Sequence, residues 1–426
     1  MNKKLDKATY ILSGPVEFEL KSGKMFSIGK KITLGEKIFV PEGKRIPLEV
    51  IEPSEILLDK EVELPSLPTR TIPDDWDKVV DYLINEKKSS KTNVSILIFG
   101  EVDTGKTFFS TYLTNRFIEN QLKVSVLDCD TGQSDIGLPG SLGLAIFKTP
   151  VLFMADTKPD LLAFVGSHSP SEHFLHYTSG FVKTVNYGIK NSDILIIDTP
   201  GWVQSDGGRA LRRAEIEILQ GLDTNYFIVL LQRGNELEHL IKGIPKNRVI
   251  RLTVSKKASP TSVEERKKLR EFVYKKYFVN AKELELSFEK IFTDRAYLLS
   301  GQEIKQKVLE NKVCWIERLS GWEGIFVVTK EDLSETEIDQ IKNCLNVHRA
   351  IVTVQKNYIG IVCALLDENC DVIGFCVIKN IDFVNKKFVI LTPEYSLKDK
   401  IKGIQFGSIK ITFDGEENGF VEPGTV

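Results

Sequence analysis

The chain has no apolar run approaching the ~18–20 residues that a membrane-spanning helix needs. Its first residues, Met-Asn-Lys-Lys-Leu-Asp-Lys, are charged, and no apolar stretch of the kind found in a secretory leader follows them. The six cysteines, Cys129, Cys314, Cys344, Cys363, Cys370 and Cys376, form no Cys-x-x-Cys pair and no zinc-like spacing. Buried thiols of a reducing compartment are therefore expected rather than disulfides or metal ligands, and a cytoplasmic location goes with them. A formal net charge of −2 excludes a whole-chain polyelectrolyte, so nucleic-acid contact has to come from a local basic surface. What remains is a globular composition, 42% hydrophobic and 27% charged, in 426 residues, enough for two or three domains.

Patterning divides the chain into three. Residues 1–70 are short β-like runs split by turn signals, with Val16-Glu17-Phe18-Glu19-Leu20 placing its apolar residues on one face. Pro65, Pro68 and Pro73 read as a linker, after which Asp74 or Asp75 is expected to cap a helix running to about Lys88. Residues 71–297 alternate strands and helices, the pattern of an α/β domain with a mainly parallel sheet. Strands are predicted at Val94–Phe99, Lys123–Leu127, Leu161–Val165, Asp193–Ile197, Tyr226–Leu231 and Arg248–Thr253, and helices at 106–120, 170–190, 208–221 and 262–277. Residues 298–426 return to β-like runs and read as a second all-β module.

The chemistry is announced at 94–107. An apolar strand runs into Gly100-Glu101-Val102-Asp103-Thr104-Gly105-Lys106-Thr107, and Phe108–Ile118 has helical spacing. That strand, glycine loop and helix are the context of a P-loop, whose backbone N–H groups curl around phosphate oxygens at a helix N-terminus. Residues 100–108, Gly100 through Phe108, are thus expected to bind a nucleotide; Lys106 would reach its outer phosphates and Thr107 would hold Mg²⁺.

Three further clusters follow strand ends, where open α/β sheets bind ligands. Asp128-Cys129-Asp130-Thr131-Gly132-Gln133 offers one carboxylate to support the metal and another to accept a proton. Asp198-Thr199-Pro200-Gly201-Trp202 ends an apolar strand in a second carboxylate suited to magnesium, with an aromatic on which a base or sugar can stack. Lys242–Lys276 carries twelve Lys/Arg against three Glu, and Ser262-x-x-Glu265 fits a capping box. Arg266 and Arg270 then share a helix face, placed to cover a transferring phosphoryl group; a merely solvated helix accounts for them equally well. Arg209, Arg212 and Arg213 read either as a phosphate-tracking group or as a solvated face. His168 follows another strand and reads more readily as a loop residue than a catalytic one.

With these residues in view, the chain resembles the P-loop polynucleotide 5′-hydroxyl kinases related to the pre-mRNA cleavage, tRNA-splicing and ribosomal-RNA-processing kinases. The resemblance rests on Gly100–Thr107, Asp128-x-Asp130-x-Gly132-Gln133, Phe164-Val-Gly-Ser-x-Ser-Pro170 and Thr199-x-Gly201-Trp202, and on the β–kinase–β layout. It implies ATP and Mg²⁺ as cofactors, RNA or DNA with a 5′-hydroxyl end as substrate, and RNA-processing proteins as partners. It also implies Asp130 as general base, Trp202 as the residue that positions the terminal nucleotide with Gln133, Thr199 and Gly201 beside it, and Arg266 and Arg270 as lid arginines. Asp198 stands where relatives often carry Asn before the Thr, which leaves Asp128 and Asp198 both open as the outer magnesium partner. Two rivals stand beside this reading: a non-catalytic ATP-binding scaffold, and a GTPase switch suggested by Asp198-Thr-Pro-Gly201. The switch lacks a guanine-reading Asn-Lys-x-Asp, since Asn385-Lys386-Lys387-Phe388 has no Asp and falls in the last module.

Overall fold

The computed structural model describes residues 1–67, 69–255, 261–321 and 323–425. Pro68 of the linker and Lys256 and Lys257 of the basic segment fall outside them. The described chain forms two compact units. The first comprises Met1–Asp130, Gly143–Asp160 and Phe181–Thr261, and the second Thr131–Leu142, Leu161–Gly180 and Ser262–Val426.

In the first unit the N-terminal residues form an antiparallel module built on two long strands, Val16–Ser27 and Arg45–Leu58. Val16, Phe18 and Leu20 point inward and are almost fully buried, as their period-two spacing requires. The proline stretch is partly structural: Ser66–Leu67 adds an edge strand to Thr9–Tyr10. The module is fastened to helix α2 (Lys106–Glu119), because Asn115 Nδ2 donates to the Ile28 carbonyl at 2.8 Å. Gly29, at a φ of +76°, lies so close to Tyr112 that a Cβ would sit 2.9 Å from its ring. Arg70 adds ion pairs to Glu49 at 3.2 Å and Asp77 at 2.7 Å.

The α/β part of this unit has the strand order Ser141–Phe147, Val124–Asp128, Ile194–Asp198, Asn93–Phe99, Thr224–Gln232, Val249–Thr253. All neighbours are parallel except the first pair. Every residue of Asn93–Phe99, Val124–Asp128 and Ile194–Asp198 is buried, the condition of a parallel sheet covered on both faces. The antiparallel strand Ser141–Phe147 was not legible in the pattern, because a short apolar run after Pro-Gly carries no period of its own. Helix α1 (Asp74–Ser89) buries Trp76, Val79, Val80, Leu83 and Ile84, each worth about 1.5–3 kcal/mol on full burial. Its N-cap is Pro73 and makes no side-chain cap, so neither Asp74 nor Asp75 caps the helix. Asp75 Oδ2 instead accepts from the Thr253 N–H at 2.9 Å. Helix α3 (Phe174–Asn191) begins later than 170 because Pro170–Glu172 is a separate 3₁₀ turn, and α4 (Ser205–Gln220) begins earlier than 208.

The second unit holds helix α5 (Val263–Phe278), whose capping box joins Ser262 and Glu265 reciprocally as the sequence requires. Its largest sheet orders Lys282–Ser287, Lys387–Thr392, Val372–Asp382, Ile361–Leu366, Gly403–Ile411 and Phe292–Asp294, with Glu417–Phe420 paired to Gly403–Ile411. A smaller sheet, Gly301–Glu303, Val313–Leu319, Gly324–Thr329 and Arg349–Val354, shares a buried cluster with helix α6 (Glu335–Cys344), whose Ile341 packs with Ile316, Ile325 and Val327. Alternation alone did not disclose α6, although Ser334-x-x-Glu337 is a capping box that marks its start. Among the described residues no helix is long and apolar enough to cross a membrane.

Candidate active site

The strand Asn93–Phe99 ends at Gly100 and the chain turns twice before α2. Asp103 takes a left-handed φ of +59° and Gly105 one of +84°. Alternation of left- and right-handed residues curls successive N–H groups inward, which is the concave anion cradle expected of a P-loop. Asp103 tolerates this conformation as a short polar residue, and it is held from outside. Its carbonyl accepts from Arg233 Nη2 at 3.0 Å, and Oδ2 accepts from the Thr261 N–H at 2.8 Å. Gly100 has no room for a side chain, since a Cβ would stand 2.4 Å from Thr104 Oγ1.

Lys106 is the buried cation of this loop. Its Nζ donates to the Glu101 carbonyl at 2.9 Å, an oxygen that also accepts from Thr104 Oγ1 at 2.9 Å. Burial holds the ammonium below its ordinary pKa, while Asp198 and Asp130 act in the opposite direction. The Glu101 carboxylate accepts from Gln204 Nε2 at 2.6 Å, which ties the P-loop to the segment after Trp202.

The carboxylates arrive through sheet register. Asp198 lies level with Asp128 on the adjacent parallel strand, and Cys129 N–H donates to the Asp198 carbonyl at 2.8 Å. Asp128 Oδ1 accepts the Asp130 N–H at 3.0 Å, a side-chain turn that takes the backbone off the pleat. Asp128 and Asp198 are consequently buried at the strand ends, while Asp130 is half-exposed beyond them.

The Thr199–Trp202 segment is laid directly on the P-loop. Thr199 is fully buried and donates from Oγ1 to the Ile98 carbonyl at 2.7 Å. Gly201 leaves no space at all: a Cβ there would meet the Val102 backbone nitrogen at 2.7 Å. Trp202 is half-buried, and its carbonyl would stand 2.9 Å from a Cβ at Gly208 on α4. The glycines at 201 and 208 therefore bring two backbones close enough to present Trp202.

Arg212 corrects the expectation that it tracks a phosphate backbone. It is wholly buried, stacks 5.6 Å over the Phe99 ring and pairs with Glu215 at 2.9 Å. Arg209 and Arg213 stay exposed, with Arg213 bonded to Glu217 at 2.8 Å. The missed signal was the Arg212–Glu215 spacing of three inside the apolar stripe Leu211, Ile216 and Leu219, which puts both charges on the buried face.

Gln133, Arg266 and Arg270 belong to the second unit. Gln133 Nε2 donates to the Arg266 carbonyl at 3.2 Å, tying the loop after Asp130 to the first turns of α5. Arg266 is half-buried, and among the described residues its guanidinium has no ion pair. Arg270 is gripped by Glu417, with Nε and Nη2 donating at 2.5 and 3.2 Å to the two carboxylate oxygens. His168 packs into the same group. Its Nε2 lies 2.8 Å from the Tyr274 hydroxyl and its Nδ1 3.9 Å from Glu417. Burial, aided by the Arg270 charge, brings its pKa down to about 3, so the ring is neutral at pH 7. His168 is thus a packed structural residue of this unit.

Thr107, Asp128 and Asp198 offer hard oxygen donors, the chemistry that suits Mg²⁺. Among the described residues no group of three or more His, Cys, Asp or Glu forms an all-protein metal cage. A hydroxyl and carboxylates at a phosphate-binding loop suit an ion that keeps phosphates and water among its ligands.

A family model described as the mRNA cleavage and polyadenylation factor CLP1 P-loop matches residues 100–280. A polyribonucleotide 5′-hydroxyl-kinase of Methanocaldococcus jannaschii is 30% identical over 369 residues, covering 84% of this chain and 97% of the relative. Its namesake in Pyrococcus furiosus is also 30% identical, covering 85% and 99%. Among solved structures, a chain of the wild-type Clp1p–Pcf11p complex superposes with a TM-score of 0.67 over 96% of this chain and 97% of its own, at 13% identity.

Proposed function

Since this chain belongs to the polynucleotide 5′-hydroxyl-kinase family, we propose that it transfers the γ-phosphate of ATP to the 5′-hydroxyl of an RNA strand, with DNA as a second acceptor. The observation that carries the reading is the P-loop Lys106 set against the register-matched Asp128 and Asp198, with Asp130 projecting beyond them.

The backbone N–H groups of 102–107 bind the triphosphate, and Lys106 exchanges the Glu101 carbonyl for the outer phosphates. Thr107 would hold Mg²⁺, with Asp128 or Asp198 as the outer partner, and the ion would supply positive charge against the phosphates. Trp202 positions the terminal nucleotide, Thr199 and Gly201 keep its loop against the P-loop, and Gln133 completes the acceptor side. Asp130 takes the proton from the attacking 5′-hydroxyl. The oxygen then bonds to the γ-phosphorus as the bond to the β-phosphate oxygen breaks, leaving ADP. Arg266 and Arg270 offset the negative charge of that transfer, with Arg270 aligned by Glu417. A cytoplasmic location belongs to this reading, since the cysteine spacing suits a reducing compartment.

The reading is tested by incubating the protein with ATP and a 5′-hydroxyl RNA and challenging the product with a 5′-monophosphate-dependent exonuclease. Degradation supports the kinase; an RNA that survives while ATP stays bound supports the scaffold.

A further inference from the structure

The second unit contains a pocket of about 340 Å³ that no step of the kinase reading uses. Its walls include His173, His176, Arg295, Tyr297 and Ser408. The floor is rigid: Gly166, at a φ of +86°, meets Gly407 backbone to backbone, and the Ser408 N–H donates to the Gly166 carbonyl at 2.8 Å. The Tyr297 ring is backed by Phe326 at 5.6 Å and gives one flat apolar wall.

Arg295 is the unusual member. Its backbone has a left-handed φ of +61°, a conformation that is costly for a long side chain, and its side chain is only 15% exposed. Among the described residues its guanidinium makes one hydrogen bond, from Nη1 to the Val165 carbonyl at 3.1 Å. Asp294 Oδ2 lies 3.9 Å from Nε, outside hydrogen-bond range, and already accepts from Gln405 Nε2 at 2.7 Å. A guanidinium carries five N–H donors in a planar fork matched to oxoanions. Here burial without adequate pairing pulls its pKa down to about 10.

The imidazoles beside it form a short hydrogen-bonded chain. Ser408 Oγ lies 3.1 Å from His173 Nε2, and His173 Nδ1 lies 3.1 Å from His176 Nδ1. If Ser408 donates into the chain, His176 presents Nε2–H at the far end. If the tautomers reverse, Ser408 keeps its O–H to donate. In both states one donor is left over, and no acceptor among the described residues takes it. Of the acidic groups near this cluster, Asp294 and Glu172 act on the histidines, and the exposed Glu422 lines the pocket in water.

We propose that this pocket binds a phosphate group, gripped by the free edge of the Arg295 fork and by the surplus donor of the Ser408–His173–His176 chain. The ligand is a phosphodiester of a polynucleotide or a free phosphate compound, and the site is independent of the P-loop and of the kinase reading.

The test is equilibrium dialysis of labelled inorganic phosphate against the full chain, with the P-loop saturated by a non-hydrolysable ATP analogue. Saturable binding that weakens at least tenfold in Arg295→Met and several-fold in His176→Ala supports the site. His176 is partly exposed, so its variant keeps the test open if Arg295→Met does not fold. Displacement by a 5′-phosphorylated oligoribonucleotide at lower concentration than by a mononucleotide identifies a polynucleotide; equal displacement by both identifies a free phosphate. Equal binding by wild type and both variants, no binding by wild type, or displacement only by an acidic peptide overturns the proposal.

Discussion

Replacing Gly201 by Ala adds a single methyl group, and the surroundings set its consequence. The new Cβ would lie 2.7 Å from Val102 N, 2.8 Å from Val102 Cα and 2.6 Å from Val102 Cγ2. Ordinary contact begins at 3.4 Å, so one of the two backbones has to move by about 0.7 Å. Neither partner is the far end of a flexible side chain. Overpacking of this kind costs about 1–3 kcal/mol in stability. The larger effect is on chemistry, because catalytic groups have to be held within about 0.5 Å. A misplacement near 1 Å costs on the order of 10²-fold. The expected outcome for Gly201→Ala is a fall of roughly 10- to 100-fold in kcat/KM for phosphoryl transfer. It is measured with γ-labelled ATP and a 5′-hydroxyl oligoribonucleotide, alongside a urea titration of stability. Gly221→Ala is the matched control, since Gly221 sits at a φ of −84° and its nearest neighbour would be 3.5 Å away. That change is expected to leave kinetics untouched and stability within about 0.5 kcal/mol. Activity of Gly201→Ala within twofold of wild type would refute the argument that the Thr199–Trp202 segment rests on the P-loop backbone.

Asp130→Asn preserves shape and removes the proton acceptor, so turnover is expected to fall by about 10²–10⁴-fold while ATP affinity by equilibrium binding changes little; turnover like wild type removes Asp130 from the mechanism. Arg212→Met removes the buried ion-pair partner of Glu215, which is expected to cost about 3–5 kcal/mol in a denaturant titration, whereas Arg209→Met at an exposed position costs under about 0.5 kcal/mol. His168 is neutral in the folded chain, with its pKa lowered to about 3, and titrates near 6.5 when unfolded. Protons therefore bind the unfolded state first, so stability is full above pH 6.5 and is lost as pH falls toward 3. His168→Gln is expected to flatten the dependence of Tm on pH in that window; an unchanged slope would show that other groups account for it.

The parts of this molecule legible from sequence are those in which local chemistry and tertiary environment demand the same thing. The P-loop is one: Gly100, Gly105 and Lys106 have to occupy those positions for the backbone to turn and the helix to start. The apolar strands ending in Asp128 and Asp198 are another, since full burial on both faces selects unbroken apolar runs. What escaped was set at longer range. Val102 is 99 positions from Gly201, so no local pattern discloses that the glycine serves a close approach. Arg212 looked like one of three surface arginines until α4 was seen to turn its stripe inward. Ser141–Phe147 took its identity from pairing with Val124–Asp128, and the Arg295 pocket unites segments around 173, 295 and 408 that share no motif.

The most direct measurement follows γ-labelled ATP into 5′-hydroxyl RNA and DNA oligonucleotides, single- and double-stranded, with Lys106→Ala beside the wild-type chain. The account predicts label on the 5′ ends, strongest with RNA and absent in Lys106→Ala. Label on no end with nucleotide still bound, or equal transfer by Lys106→Ala, would contradict it.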